Sequence, residues 1–222
     1  MMRNVIDYKN TIVLFFIILL VIIPIITVLS YIVQPPSQLW GHLSENLLSK
    51  YLYNTFIILV SVAFFTVIIG VSCAWLVTHF TFPAKNIFKW LLVMPIAIPT
   101  YVSAYIYAGL FEPSGMIFDS VENYFGLGKE LYEIIELRNI YGVIFILSIC
   151  LYPYVYLLAY SSFKEQSYCA LEVGKSLGLN SRELFSKISI PLARPGIIAG
   201  LSLVMMETLA EFGTMDYYGV ST

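Results

Sequence analysis

The stretch IYGVIFILSICLYPYVYLLAYSSF, from Ile140 to Phe163, runs for 24 residues without a charged side chain. A helix rises about 1.5 Å per residue, so such a run reaches through the roughly 30 Å hydrocarbon layer of a bilayer. Three further uncharged runs of spanning length lie at Thr11–Val33, Tyr51–Thr78 and Trp90–Phe111, and a fifth begins near Pro195 and is interrupted by Glu207. The runs are continuous rather than alternating, which excludes a lipid-embedded β-barrel; each must satisfy its backbone internally, as a helix. The expected fold is all-α: a polytopic transmembrane helical bundle of about five spans, forming a single domain over residues 1–222.

Composition agrees. Hydrophobic residues make up 59% of the chain and charged ones 12%, with a mean hydropathy of +0.82; a soluble domain is roughly half apolar and a quarter charged. The net charge is −2, from 12 Lys and Arg against 14 Asp and Glu, so nothing points to a nucleic-acid partner. Cys73, Cys150 and Cys169 are far apart, and only His42 and His79 accompany them. That leaves no disulfide framework and no zinc-ligand spacing, and no metal or cofactor is assigned. Arg3 and Lys9 precede the first run as in a signal peptide, but 23 uncharged residues exceed a 7–15 residue signal core, so this run is a retained anchor.

Charge placement orients the bundle. With a cytoplasmic N-terminus, the inner side holds Arg3, Lys9, Lys85, Lys89, Lys164, Lys175, Arg182, Lys187 and Arg194, and the outer side only Lys50, Lys129 and Arg138. Residues 112–139 then form an extracytoplasmic loop, with a short amphipathic helix expected around Leu131, Ile134 and Ile135 at the outer surface, and residues 164–194 form a cytoplasmic loop. Within the latter, Gly178 suits a left-handed helix terminator, and Asn180 with Glu183 three residues on suits a capping box. Leu184, Phe185 and Ile188 give the second helix an apolar edge, and Pro191 is expected to end it before Pro195 opens the next span. The product is a helical knob.

These residues resemble the EAA loop of binding-protein-dependent ABC permeases, whose pattern is E-A-A, three residues, G, nine residues, I, one residue, L-P. Glu172, Gly178, Ile188 and Pro191 fall in register. Val173 and Gly174 replace the two alanines and Ile190 replaces leucine, and Gly174 is expected to loosen the first helix. The resemblance implies that Glu172, Gly174, Gly178, Leu184, Phe185, Ile188 and Pro191 couple the chain to a separate ATPase. Gly174-Lys175-Ser176 copies the end of a phosphate-binding loop, but Cys169 stands where that motif needs glycine and no buried strand precedes it, so ATP binding is not expected of this chain.

Glu207 lies 11 residues beyond Gly196, roughly 17 Å into the layer. Glu211 is four residues further, so a continuous helix would present both carboxylates on one face. An intramembrane carboxylate costs about 2.5–3.5 kcal/mol on insertion scales unless it meets water or a partner, so this face should line a pathway or a buried interface. Two carboxylates so placed would share a proton or hold a cation; alternatively they join helices by hydrogen bonds. Tyr152, Tyr156 and Tyr160 form one stripe, and Tyr101 and Tyr105 another, expected to serve packing or an aromatic belt. Pro95, Pro99 and Pro153 should kink their helices.

The run Met206-Glu207-Thr208-Leu209-Ala210-Glu211-Phe212-Gly213-Thr214 is similar to a segment of the ferric-iron permeases of this superfamily, as are Pro95-Ile96-Ala97-Ile98-Pro99, Leu151–Leu157 and Pro191-Leu192-Ala193-Arg194-Pro195. This likeness implies most of the first half of a two-half permease, lacking its sixth span, with ferric iron as the transported substrate. It further implies a cytoplasmic ABC ATPase dimer, a periplasmic substrate-binding protein and a second permease half or subunit as partners, in a bacterial inner membrane. The chain is not expected to be an enzyme. Thiamine, polyamine, phosphonate and sulfate permeases share the architecture and remain alternatives, as does a secondary transporter using Glu207 and Glu211 for protons or sodium.

Overall fold

The computed structural model describes residues 8–31, 41, 43–44, 47–112, 115–126, 137–166 and 168–222. The chain divides into two units, Met1–Leu48 and Ser49–Thr222. The first is built on α1 (Tyr8–Ser30). Its side chains from Thr11 to Ser30 are all exposed and almost wholly apolar, as befits a helix whose solvent is hydrocarbon.

The second unit carries α2 (Leu48–His79), α3 (Lys85–Leu91), a 3₁₀ turn (Met94–Ala97), α4 (Thr100–Phe111), α5 (Met116–Phe125) and α6 (Ile140–Glu165). It continues through α7 (Tyr168–Ser176), α8 (Ser181–Leu184), a π turn (Phe185–Ser189), α9 (Ile190–Ala210) and α10 (Gly213–Tyr217). The described residues contain no strand, and the fold is the all-α membrane bundle expected. Four helices are long and apolar enough to cross a membrane, and α3 with α4 makes a fifth if the bent pair counts as one span.

The organising helix is α6. In its most apolar stretch 72% of residues are buried, against 28% for α2 and 22% for the helix ending at Ala210. Asn139 starts α6, its side chain accepting a hydrogen bond from the Gly142 N–H at 2.9 Å. The helix runs unbroken through Pro153. Close approach on either side depends on glycine. A Cβ placed on Gly70 of α2 would lie 2.8 Å from Val155 Cβ, and one on Gly200 of α9 would lie 2.8 Å from Val155 Cα. One on Gly196 would press on Ser162 and the Leu158 carbonyl. Small residues let transmembrane backbones meet, and Gly196 and Gly200, four apart, form such a stripe. Tyr152 and Tyr156 are buried in the same core, with the Tyr156 hydroxyl donating to the Lys89 carbonyl at 3.2 Å. With Tyr160 packed against that core as well, this tyrosine stripe serves packing. Tyr101 and Tyr105 stay exposed.

Two expectations are corrected. The run Trp90–Phe111 is not one continuous helix: Pro95 and Pro99 break it, and the pieces on either side meet at 97°. Two prolines four apart remove two amide donors and fix two φ angles, so the chain turns rather than kinks. Nor does Pro191 end the helical knob. The π turn runs directly into α9, with Pro191 in that helix's first turn and Pro195 inside it. The missing N–H of Pro191 is absorbed by the wider π turn ahead of it, so the helix continues instead of ending.

The segment around Leu131, Ile134 and Ile135 lies outside the described residues. Ahead of it, α5 starts at Gly115 and stops at Gly126, whose φ of 66° is the left-handed value glycine accepts. The ends of the 112–139 loop are drawn together by Arg138, whose Nη2 lies 2.6 Å from Glu112 Oε1 and whose guanidinium stands 5.2 Å above the Tyr217 ring.

Candidate functional site

The knob is built by a helix terminator followed at once by a helix start. At Gly178, φ is +82°. Its N–H bonds the Lys175 carbonyl at 2.9 Å, and the Leu179 N–H reaches back to the Gly174 carbonyl at 3.1 Å. This double closure finishes α7 and reverses the chain, using the conformation that costs glycine least. Asn180 then opens α8: its Oδ1 accepts from the Glu183 N–H at 2.9 Å, and its own N–H donates to Glu183 Oε2 at 3.1 Å. The other Glu183 oxygen takes Lys187 Nζ at 2.9 Å, one turn on. The turn and capping box are as the residues foretold.

Gly174 has a different part from the one expected. A Cβ there would stand 2.6 Å from Leu184 Cδ2 and 2.7 Å from Ile188 Cδ1, so its bare backbone is the seat on which the second limb rests. Gly174 and Leu184 are buried, and Phe185, Ile188 and Pro191 half-buried. These residues hold the knob together. What it presents outward is Glu172, Val173, Leu177, Gly178 and Arg182, all exposed. Val173 and Leu177 are not among the coupling residues that the resemblance implies, although their i, i+4 spacing carries a signal for a shared exposed face.

The root of the knob rests on an aromatic pile. The Phe185 ring lies 5.0 Å from Trp75 of α2. Trp75 stacks at 3.5 Å on His79 and stands 5.6 Å from Phe163 of α6. The C-terminal carbonyls of α2 are served by Lys85, whose Nζ donates to the Phe80 carbonyl at 2.9 Å, as suits a cation at a helix C-terminus.

The two glutamates meet in one cavity of about 300 Å³, lined also by Thr100, Tyr101, Cys150 and Tyr154. They do not share a helix face. α9 ends at Ala210, and Glu211 is its extended cap with ψ of 109°. Its carboxylate turns back on the chain: Oε1 accepts from the Thr214 N–H at 2.8 Å and from the Thr214 hydroxyl at 2.9 Å, and Oε2 from the Thr100 hydroxyl. It therefore joins the first turns of α4 and α10, where amide dipoles favour a negative group. Glu207 is exposed on α9 and faces the Tyr154 side of the cavity. Among the described residues no three His, Cys, Asp or Glu side chains converge on a point.

This geometry yields a prediction. Charged hydrogen bonds are worth roughly 1.5–3 kcal/mol each, so Glu211→Ala should destabilise the folded protein by about 2 kcal/mol or more. Glu207→Ala gives up only a hydrogen bond with Tyr154, which the relief of a carboxylate in the apolar layer offsets, so it should destabilise the protein less than Glu211→Ala does. Thermal unfolding in detergent, followed for both variants, checks the contrast, and equal shifts would refute it.

Broken and unbroken apolar helices around α6, with a capped helix–turn–helix knob continuous with a candidate span, make up a polytopic membrane protein. Residues 66–222 match the family of binding-protein-dependent transport system inner membrane components, and the chain belongs to that family. Among its relatives is a probable sulfate transport system permease protein of Helicosporidium sp. subsp. Simulium jonesii, 25% identical over 93% of this chain and 74% of that protein. A sulfate transport system permease protein of Salmonella typhimurium is 26% identical over 69% of this chain and 52% of its own length. The molybdenum transport system permease protein of Escherichia coli is 24% identical over 67% of this chain and 62% of its own length. The chain thus spans about half the length of the Salmonella relative. These relatives carry sulfate and molybdenum in their names, not the ferric iron that the Glu207–Thr214 run suggested.

Proposed function

We propose that this chain is the membrane-spanning part of an ABC importer for a small tetrahedral oxyanion of the sulfate or molybdate kind. A separate cytoplasmic ATPase dimer would drive it, an extracytoplasmic binding protein would supply it, and a second permease half or subunit would complete the pathway in a bacterial inner membrane. The observation that carries the importer reading is the knob: a helical hairpin with Schellman closure and capping box, outside the apolar bundle yet continuous with α9. A carrier driven by protons or sodium has no use for such a projection. The substrate class rests on the relatives, sulfate having been one of the alternatives open from the sequence. Glu211, with both oxygens engaged by Thr100 and Thr214, acts in this reading as a helix joint and not as an iron ligand.

Uptake into cells carrying the chain with its genomic neighbours should show accumulation of radiolabelled sulfate or molybdate, each competing with the other. Accumulation of ferric iron with neither oxyanion transported would overturn the substrate class. Uptake that persists when the ATPase carries an inactive nucleotide site would overturn the importer.

A further inference from the structure

The neck of the knob holds an arrangement that the coupling residues do not account for. α6 stops at Gln166, whose backbone swings to an extended ψ of 133°. From there its side-chain Nε2 donates to the Ser189 carbonyl at 2.8 Å, across 23 positions of sequence. Ser189 is the last residue of the π turn. The bond therefore ties the entrance of the 164–194 loop to its exit, directly below the start of α9.

The π turn is a point of weakness. Pro191 has no N–H to offer the Lys187 carbonyl, so regular α-helical pairing fails there, and the chain instead bonds Ile190 N–H to the Phe185 carbonyl, five residues back. Such single-turn widenings are rare and occur frequently at functional sites, and here the widened turn is where the knob could bend against α9. The neck is also unevenly satisfied: Ser189 Oγ and Gln166 Oε1 are buried with no hydrogen-bond partner among the described residues. A hinge with polar atoms to spare is poised rather than locked. Against it stand the Phe185–Trp75–His79 pile with Phe163, and the Gln166 bond.

We propose that Gln166 is a positioning residue of the coupling machinery: its amide latches the exit of the knob to the end of α6, so that force on the knob moves α6 and α9 together instead of being absorbed in the π turn. The proposal rests on the knob being the ATPase-docking element, as inferred above. Without the latch, the Phe185–Ser189 turn is the softest link between knob and bundle. With it, α6 and α9, already in glycine contact at Val155, receive the displacement as one body.

The test uses the chain assembled with its ATPase in lipid nanodiscs and follows amide hydrogen exchange with and without ATP and vanadate. In the unaltered complex, nucleotide is expected to change exchange in Thr100–Phe111, whose first residues line the cavity, and in Gly213–Tyr217, which Glu211 of the cavity holds through Thr214, while the ATPase protects Glu172–Gly178. Gln166→Leu, of similar size but without a donor, should keep the protection at the knob and lose the nucleotide response at the cavity. Gln166→Lys should restore that response, since only the donor of Gln166 is used. A cavity response in Gln166→Leu equal to the unaltered chain overturns the latch; so does simultaneous loss of knob protection, which would mark a merely structural role. On the chain alone, Gln166→Leu should speed exchange in Phe185–Ser189 about fivefold, the effect of one hydrogen bond. Unchanged exchange there overturns the latch whatever becomes of the ATPase. Failure of the unaltered chain to bind any ATPase instead overturns the proposed function, and leaves the last measurement to judge the latch.

Discussion

Deletion of residues 172–178 is expected to abolish co-purification with the ATPase while membrane insertion continues as before. Insertion is driven by the apolar runs, none of which includes these residues, whereas the deletion removes α7's outer face and its terminator. A single substitution sharpens the test. Leu177 is 76% exposed and Val173 52% exposed, two apolar side chains one helical turn apart on the knob's outer face. Fully burying a Leu or Val side chain at an interface is worth about 1.5–3 kcal/mol. Leu177→Asp should therefore weaken ATPase binding about thirtyfold, a loss of about 2 kcal/mol. Reversal of Glu172 at the same face should also weaken binding, with a salt dependence that Leu177→Asp lacks. ATPase binding at full strength after deletion of residues 172–178 would refute the docking role.

Gly200→Leu should impair folding strongly. The added side chain would begin 2.8 Å from Val155 Cα and 3.1 Å from the Tyr154 carbonyl. Those are backbone atoms in the middle of the most buried helix, so no rotamer change relieves the collision. α9 must back away from α6, and the packing between them is lost. Overpacking typically costs 1–3 kcal/mol, and with rigid backbone as the obstacle about 3 kcal/mol is expected. Gly109→Ala is the control, since nothing lies within 4 Å of that position, and in a helix the change should be neutral or mildly stabilising. The measurements are the monodisperse yield and the thermal midpoint in detergent. A Gly200→Leu protein as stable as the Gly109→Ala control would refute the glycine contact.

The legibility of the site follows a physical division. Turn chemistry is local: Gly178 and the Asn180–Glu183 box involve neighbours in sequence, so residue type and spacing were enough to predict them. Helix propensity considers one helix at a time and assigns Gly174 only a loosening effect; its packing role depends on Leu184 and Ile188 of the other limb, which propensity does not see. Glu211 was misplaced for a related reason. The i, i+4 argument presumes an unbroken helix, whereas its carboxylate finds three donors in Thr100 and Thr214 by leaving the helix at Ala210. The Gln166–Ser189 bond spans 23 positions, and no periodicity announces it.

By itself the sequence determined that this chain lives in a bilayer and crosses it as helices, because the cost of an unsatisfied peptide group in hydrocarbon leaves a long apolar run no other form. It also determined the hairpin at Gly178, which depends only on backbone freedom and a four-residue cap. The tertiary structure alone decided that the Trp90–Phe111 run turns through 97°, that the knob runs on into α9, and that α6 is the helix around which α2 and α9 close. Those outcomes depend on which surfaces meet, and packing between helices of nearly uniform hydropathy is set by shape, by where a glycine lets a backbone approach and where a carboxylate finds its donors.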